Sequence, residues 1–300
     1  MSLRVWSWLL SLAVLWGGSF FFAKIAVATI EPLTVVFARV ALAALALNIV
    51  IFWTGRTLFG PGTPWGSFFA MGFLNNVLPF SLIFWAQTQI PSGLAAILNA
   101  MTPFFIVLAA HVLTADERIT PAKAIGLAIG FSGVIVLIGP DLLFGVLDGV
   151  SGQIACLLAA VSYAFAGIYG RRFKTMGLSP VDAAAGQVTA SSILILPIMA
   201  MVDQPWTLRA APSYETWAAL LGLALLSTAL AYLLYFRILA AAGATNLLLV
   251  TFLIPVTAIL LATVFLDEQL ALRHIAGMAF IGAGMAAIDG RIVAALRVAK

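Results

Sequence analysis

The chain is short of charge. Asp, Glu, Lys and Arg make up 9% of its 300 residues, against about 25% in an ordinary soluble protein. So few charges cannot cover a soluble fold of this length, and no polar half stands apart as a soluble domain. Cysteine is nearly missing as well: Cys156 alone excludes a disulfide framework and any multi-cysteine metal site. His111 and His274 have no ligand-spaced neighbours, so no metal is expected. The chain has no Walker loop, no nucleophile elbow and no zinc-binding helix. That excludes the common enzyme signatures, and no cofactor is expected. The net charge of +4 comes without a basic stripe interleaved with aromatics, which excludes nucleic acid as a partner.

What is present is apolar. Hydrophobic residues are 63% of the chain and mean hydropathy is +1.13, so the protein is an integral membrane protein with the lipid bilayer as its solvent. A bilayer-crossing helix needs about 20 apolar residues. Ten such segments are readable, at 5–28, 33–53, 66–88, 91–113, 121–139, 150–171, 180–201, 215–238, 244–265 and 271–291. They are long and continuous, unlike the short alternating segments of a barrel, and the connections are short. The first follows Arg4 and stays apolar to Ala23, too long for a signal-peptide core, so it reads as an uncleaved span.

Lys and Arg orient the spans. With both termini inside, the inner set is Arg4, Arg56, Arg118, Lys123, Arg171, Arg172, Lys174, Arg237, Arg291, Arg297 and Lys300, while the outer loops hold Arg209 and Arg273. This bias puts both termini in the cytoplasm and agrees with ten spans. Lys24 and Arg39 fall within spans, toward outer ends. They read either as snorkelling side chains or as a charged rim of an outer vestibule that handles a carboxylate.

The chain also repeats. Ser92-Gly93-Leu94-Ala95, then Asn99-Ala100-Met101-Thr102-Pro103, then Asp116-Glu117 are echoed by Ala244-Thr245-Asn246-Leu247, then Thr251 to Pro255, then Asp267-Glu268. A glycine-rich segment follows each acidic pair: Gly126, Gly130 and Gly133 in one, Gly277 and Gly284 in the other. Two copies of five spans, 1–140 and 141–300, must be inserted with opposite orientation. Inverted repeats are the architecture of alternating-access transporters.

These features resemble the EamA-type drug/metabolite transporter superfamily. The resemblance rests on the five-plus-five arrangement, Trp16-Gly17-Gly18-Ser19-Phe20, Asn99 four residues before Pro103, and the paired Asp-Glu motifs after Pro103 and Pro255. It covers nearly the whole chain. Within the superfamily the sequence is most similar to bacterial inner-membrane exporters of amino acids, including aromatic ones. The resemblance implies an all-α bundle of ten transmembrane helices, formed by two inverted five-helix repeats around a central cavity that opens to each side in turn.

Residues near mid-span belong near the bilayer midplane, where such repeats bind substrate. They are Trp16, Asn75, Asn76, Phe80 and Asn99 in the first half and Tyr163, Ser227, Thr228, Tyr232 and Thr251 in the second. In the repeat register, Asn75 and Asn76 match Ser227 and Thr228, Phe80 matches Tyr232, and Asn99 matches Thr251. The expected pocket is uncharged, with amides and hydroxyls for a carboxylate and an ammonium and rings for an apolar side chain. The same polar residues also serve as glue between membrane helices. Pro103 and Pro255 are candidate hinges, because proline removes a backbone hydrogen bond. Asp182 reads as a helix N-terminal cap. The glycines read as close-packing sites within one chain, a monomer rather than a dimer.

The sequence-based expectation is therefore a secondary exporter of amino acids and related amphiphilic metabolites. The alternative is an exporter of other metabolites or lipophilic drugs, with proton coupling open. No Asp or Glu occupies a span centre, which disfavours the small-multidrug type of cation exporter. A channel would want rings of charge, and an intramembrane enzyme would want a nucleophile with its base.

Overall fold

The structure is a computed structural model and describes residues 2–55, 57–114, 118–138, 149–207, 211–247 and 250–289. Among them every regular element is a helix. In chain order the spans are α1 (Leu3–Val27), α2 (Pro32–Trp53), α3 (Trp65–Gln87), α4 (Ser92–Leu113), α5 (Pro121–Ile138), α6 (Val150–Thr175), α7 (Pro180–Val202), α8 (214–247), α9 (Val250–Phe265) and α10 (Leu272–Asp289). Eight carry segments long and apolar enough to cross a membrane, and α9 and α10 are shorter apolar helices. This is the ten-helix, all-α membrane architecture expected from the sequence.

Helix boundaries follow local chemistry. Proline opens α2, α5 and α7, where its missing N–H costs nothing. Ser179 Oγ accepts the Asp182 N–H at 3.2 Å and donates to the Asp182 carboxylate at 2.5 Å, a capping arrangement at the start of α7. The eighth span runs to Leu247, well past the expected end at 238, so the ninth starts at Val250 rather than 244.

The two glycine-rich helices are each other's partners. A Cβ on Gly126 of α5 would stand 2.7 Å from the Gly284 carbonyl of α10, and one on Gly284 would stand 2.6 Å from the Gly126 carbonyl. Gly133 and Gly277 are related in the same reciprocal way, each 2.8 Å from the other's carbonyl. As residue numbers rise in α5 they fall in α10, so the helices run antiparallel and match residue for residue across a pseudo-twofold seam. With no hydrophobic drive between helices in lipid, this close backbone approach supplies the packing. These glycines are therefore spent inside the chain.

Candidate functional site

A cavity of about 1030 Å³ lies among the helices. Nine of the ten residues expected at a mid-membrane pocket line it: Trp16 (α1), Asn75 and Phe80 (α3), Asn99 (α4), Tyr163 (α6), Ser227, Thr228 and Tyr232 (α8), and Thr251 (α9). Asn76 does not. It is fully buried, and its amide donates to Ser191 Oγ of α7 at 2.9 Å, so it ties helices together beside the cavity. Tyr235 and Gln187 join the lining; the Tyr235 ring sits 5.8 Å from that of Trp16. Asn75 donates to Gln187 Oε1 at 3.1 Å and to Tyr232 Oη at 3.3 Å, linking α3, α7 and α8 along the wall.

The polar wall is shaped by two π-helical segments, Phe73–Val77 in α3 and Gly222–Leu230 in α8. They hold the Asn75-Asn76 and Ser227-Thr228 pairs, matched positions of the two halves. In α3 the Leu78 N–H reaches back five residues to the Phe73 carbonyl, and Pro79 next to it has no N–H to offer. In α8 the Thr228 hydroxyl donates to the Leu223 carbonyl, also five residues back, at 2.8 Å. A π-bulge turns adjacent side chains out of α register and is frequent at functional sites. Here it turns Asn75 to the cavity and Asn76 to the packed side.

Arg39 corrects the expectation of an uncharged pocket. It is the eighth residue of α2, roughly 10 Å along the axis from the helix start, and it does not snorkel. It is 5% exposed and lines the cavity. Its Nε donates to Thr228 Oγ1 at 3.0 Å and its Nη1 to Ser19 Oγ at 3.1 Å. The guanidinium carbon lies 3.8 Å from the Phe80 ring centre, and Phe80 stacks on Phe84 at 6.1 Å. The sequence position hid this role because all three partners come from other spans.

The cavity has one closed and one open end. Phe20, Ile83, Phe84 and Ala96 are buried at the Arg39 end. Beyond them Lys24 is not a rim charge. Its ammonium donates to the Gln87 and Ile90 carbonyls at 2.6 and 3.1 Å, neutralising the C-terminal end of α3. Glu268 accepts the Ser92 and Gly93 N–H groups at 2.8 and 3.1 Å, so it caps α4 from the other half. Asp203 accepts the Thr34 N–H and hydroxyl at 2.6 and 3.0 Å, and the Thr29 and Thr216 hydroxyls meet at 2.9 Å. At the opposite end the lining reaches Lys174 and Gly177, both exposed, at the α6–α7 turn.

The candidate hinges differ. α4 is interrupted at 100–101, between Ser92–Asn99 and Thr102–Leu113. Pro103 leaves the Asn99 carbonyl without its helical donor, and the Thr102 hydroxyl takes it at 2.7 Å. Pro255 lies inside a continuous α9. The roles of Gln187, Glu268 and Asp203 escaped sequence reasoning, since each bonds to a span distant in sequence; Glu117, the counterpart of Glu268, lies outside the described residues.

The EamA-like transporter family model matches twice, at residues 4–139 and 150–288. Among similar proteins, the uncharacterized inner membrane transporter YedA of Escherichia coli K12 is 28% identical over 267 residues, 88% of this chain and 83% of YedA. Protein PecM of Dickeya dadantii is 26% identical over 89% of this chain and 86% of its own length. The uncharacterized transporter YoaV of Bacillus subtilis is 22% identical over 92% and 94%. A solved crystal structure, described only as that of a protein, matches at 20% identity with a TM-score of 0.67, covering 95% of this chain and 97% of that one, which establishes the likeness of fold. The chain belongs to the EamA-like transporter family and is a multi-pass membrane transporter.

Proposed function

We propose that this transporter exports amino acids, aromatic and other neutral ones included, together with related amphiphilic metabolites. It does so across the bacterial inner membrane by alternating access between the halves 1–140 and 141–300, with both termini in the cytoplasm. The observation that carries the reading is the cavity. Rings, amides and hydroxyls from both halves surround a space of about 1030 Å³, the size range of small-molecule sites. Asn99 and Ser227 belong to this lining, and their Oδ1 and Oγ atoms, though buried, have no hydrogen-bond partner among the described residues. The open end lies at the α6–α7 turn, beside Arg171, Arg172 and Lys174 on the side that the positive-inside bias assigns to the cytoplasm. A solute loading from the cell is what an exporter requires.

The test is counterflow in proteoliposomes preloaded with unlabelled phenylalanine, leucine or threonine. Labelled substrate should accumulate transiently above equilibrium, which a carrier produces and a channel does not. Cells expressing the protein should also tolerate toxic aromatic amino-acid analogues better than controls. Absence of counterflow with every amino acid tried would sink the amino-acid reading.

A further inference from the structure

We infer that Arg39 is the anchor for a substrate carboxylate and that the cavity excludes lipophilic cations; this rests on the transport reading above and narrows its substrate class. A guanidinium carries five N–H donors. Arg39 directs one to Thr228 and one to Ser19, and its flat face lies against Phe80. None of these partners is a carboxylate. Burying a guanidinium without a counter-ion is costly, so a site that keeps one at the closed end of a transport cavity is built to receive an anion there.

The rest of the lining agrees. Its charged members are Arg39 at the closed end and Lys174 at the mouth, and it contains no acidic side chain among the described residues. A solute entering from the open end meets one cation at the entrance and a second at the bottom, a field that concentrates anions and repels cations. Ser19 and Thr228 hold the guanidinium from two helices, and such fixed geometry suits the planar two-oxygen face of a carboxylate. The aromatic walls of Trp16, Tyr163 and Tyr232 then contact the remainder of the solute.

Four probes dissect this in the full-length purified transporter by ligand-induced thermal stabilisation and by competition in counterflow. They are L-phenylalanine, N-acetyl-L-phenylalanine, L-phenylalaninamide and tetraphenylphosphonium. The two acids should bind, and the amide and the phosphonium should bind on the order of tenfold more weakly or worse, the size expected for a lost charge-assisted hydrogen bond. This comparison needs no variant and stands whatever Arg39 substitutions do to folding. Arg39→Gln should then lower acid affinity to that of the amide while leaving the amide unchanged, and Arg39→Lys should restore part of the preference. A purely structural Arg39 would weaken all probes alike. Acids and amide binding equally to the wild type, or an acid-to-amide ratio unchanged in Arg39→Gln, would overturn the anchor and leave the transport reading intact. Uptake of the phosphonium with none of the acids would overturn both.

Discussion

At the scale of single residues, two neighbours separate site from scaffold. Asn75 and Asn76 are adjacent in sequence, yet the π-segment of α3 turns one to the cavity and the other to α7. Asn76→Ala removes the amide's bond to Ser191 Oγ and leaves a void in a fully buried place, and a lost intramolecular hydrogen bond costs about 0.5–1.5 kcal/mol. Its expected effect is a lower unfolding midpoint with an unchanged half-saturating concentration in counterflow. Asn75→Ala removes the amide that bonds Gln187 and Tyr232 at the wall and should raise that concentration with little loss of thermal stability. The opposite pattern in the two variants would reverse their assignment. Much of the cavity lining was legible because a polar or aromatic side chain at mid-span has few ways to be satisfied in lipid. The charge was not, since whether Arg39 reaches headgroups or turns inward depends on Ser19 and Thr228, and nothing in the sequence around Arg39 specifies that α1 and α8 pass beside it.

At the scale of helices, matched elements of the two halves stand in different conformations. α4 is broken just before Pro103, whereas α9 is continuous through Pro255. In a molecule of two inverted copies, each copy adopts in one state the conformation that the other has in the opposite state, so the proposed exchange of access bends α9 and straightens α4. Pro103→Ala gives the Asn99 carbonyl back its helical donor in place of the Thr102 hydroxyl and favours a straight α4 throughout the cycle. The expected result is a turnover reduced about tenfold, equivalent to roughly 1.4 kcal/mol and below the ~3 kcal/mol that an interior proline costs a helix, with binding affinity changed far less. Equal turnover in Pro103→Ala and wild type would remove the hinge. Ten helices were readable because each is a continuous apolar run, eight of them long enough to cross a bilayer. The π-segments and the end of α8 were not: the first depend on which carbonyl a backbone N–H finds five residues back, and the second falls at 239–243 in the sequence reading, beside Gly243, although the helix continues through it to Leu247.

At the scale of the whole molecule, the asymmetry of the two ends defines a state, and the ties at the closed end give it a mechanism. Three of them join the halves: Glu268 to the start of α4, Asp203 to the start of α2, and Thr216 to Thr29. Two are carboxylates on helix N-termini, where exposed N–H groups and the helix dipole favour negative charge. Charge-assisted bonds of this kind are worth about 1.5–3 kcal/mol each, enough for one of them to shift an equilibrium between two access states by about tenfold or more. Glu268→Gln keeps the size of the side chain and removes the charge, so the closed end should open more often. The reporter is Ile83→Cys, placed in the lining at that end where the native side chain is 5% exposed, in a background with the buried Cys156 replaced by Ala. Labelling by a membrane-impermeant maleimide from the outer face should be slow with Glu268 present and on the order of tenfold faster in the Glu268→Gln variant. A reporter at Ala183, on the open side of the cavity, should change in the opposite direction when probed from the other face, because in the proposed alternating access opening one end closes the other. Faster labelling at Ile83→Cys without the reciprocal fall at Ala183→Cys would mean that the glutamate merely caps α4, and the tie between the halves would lose its part in setting the state.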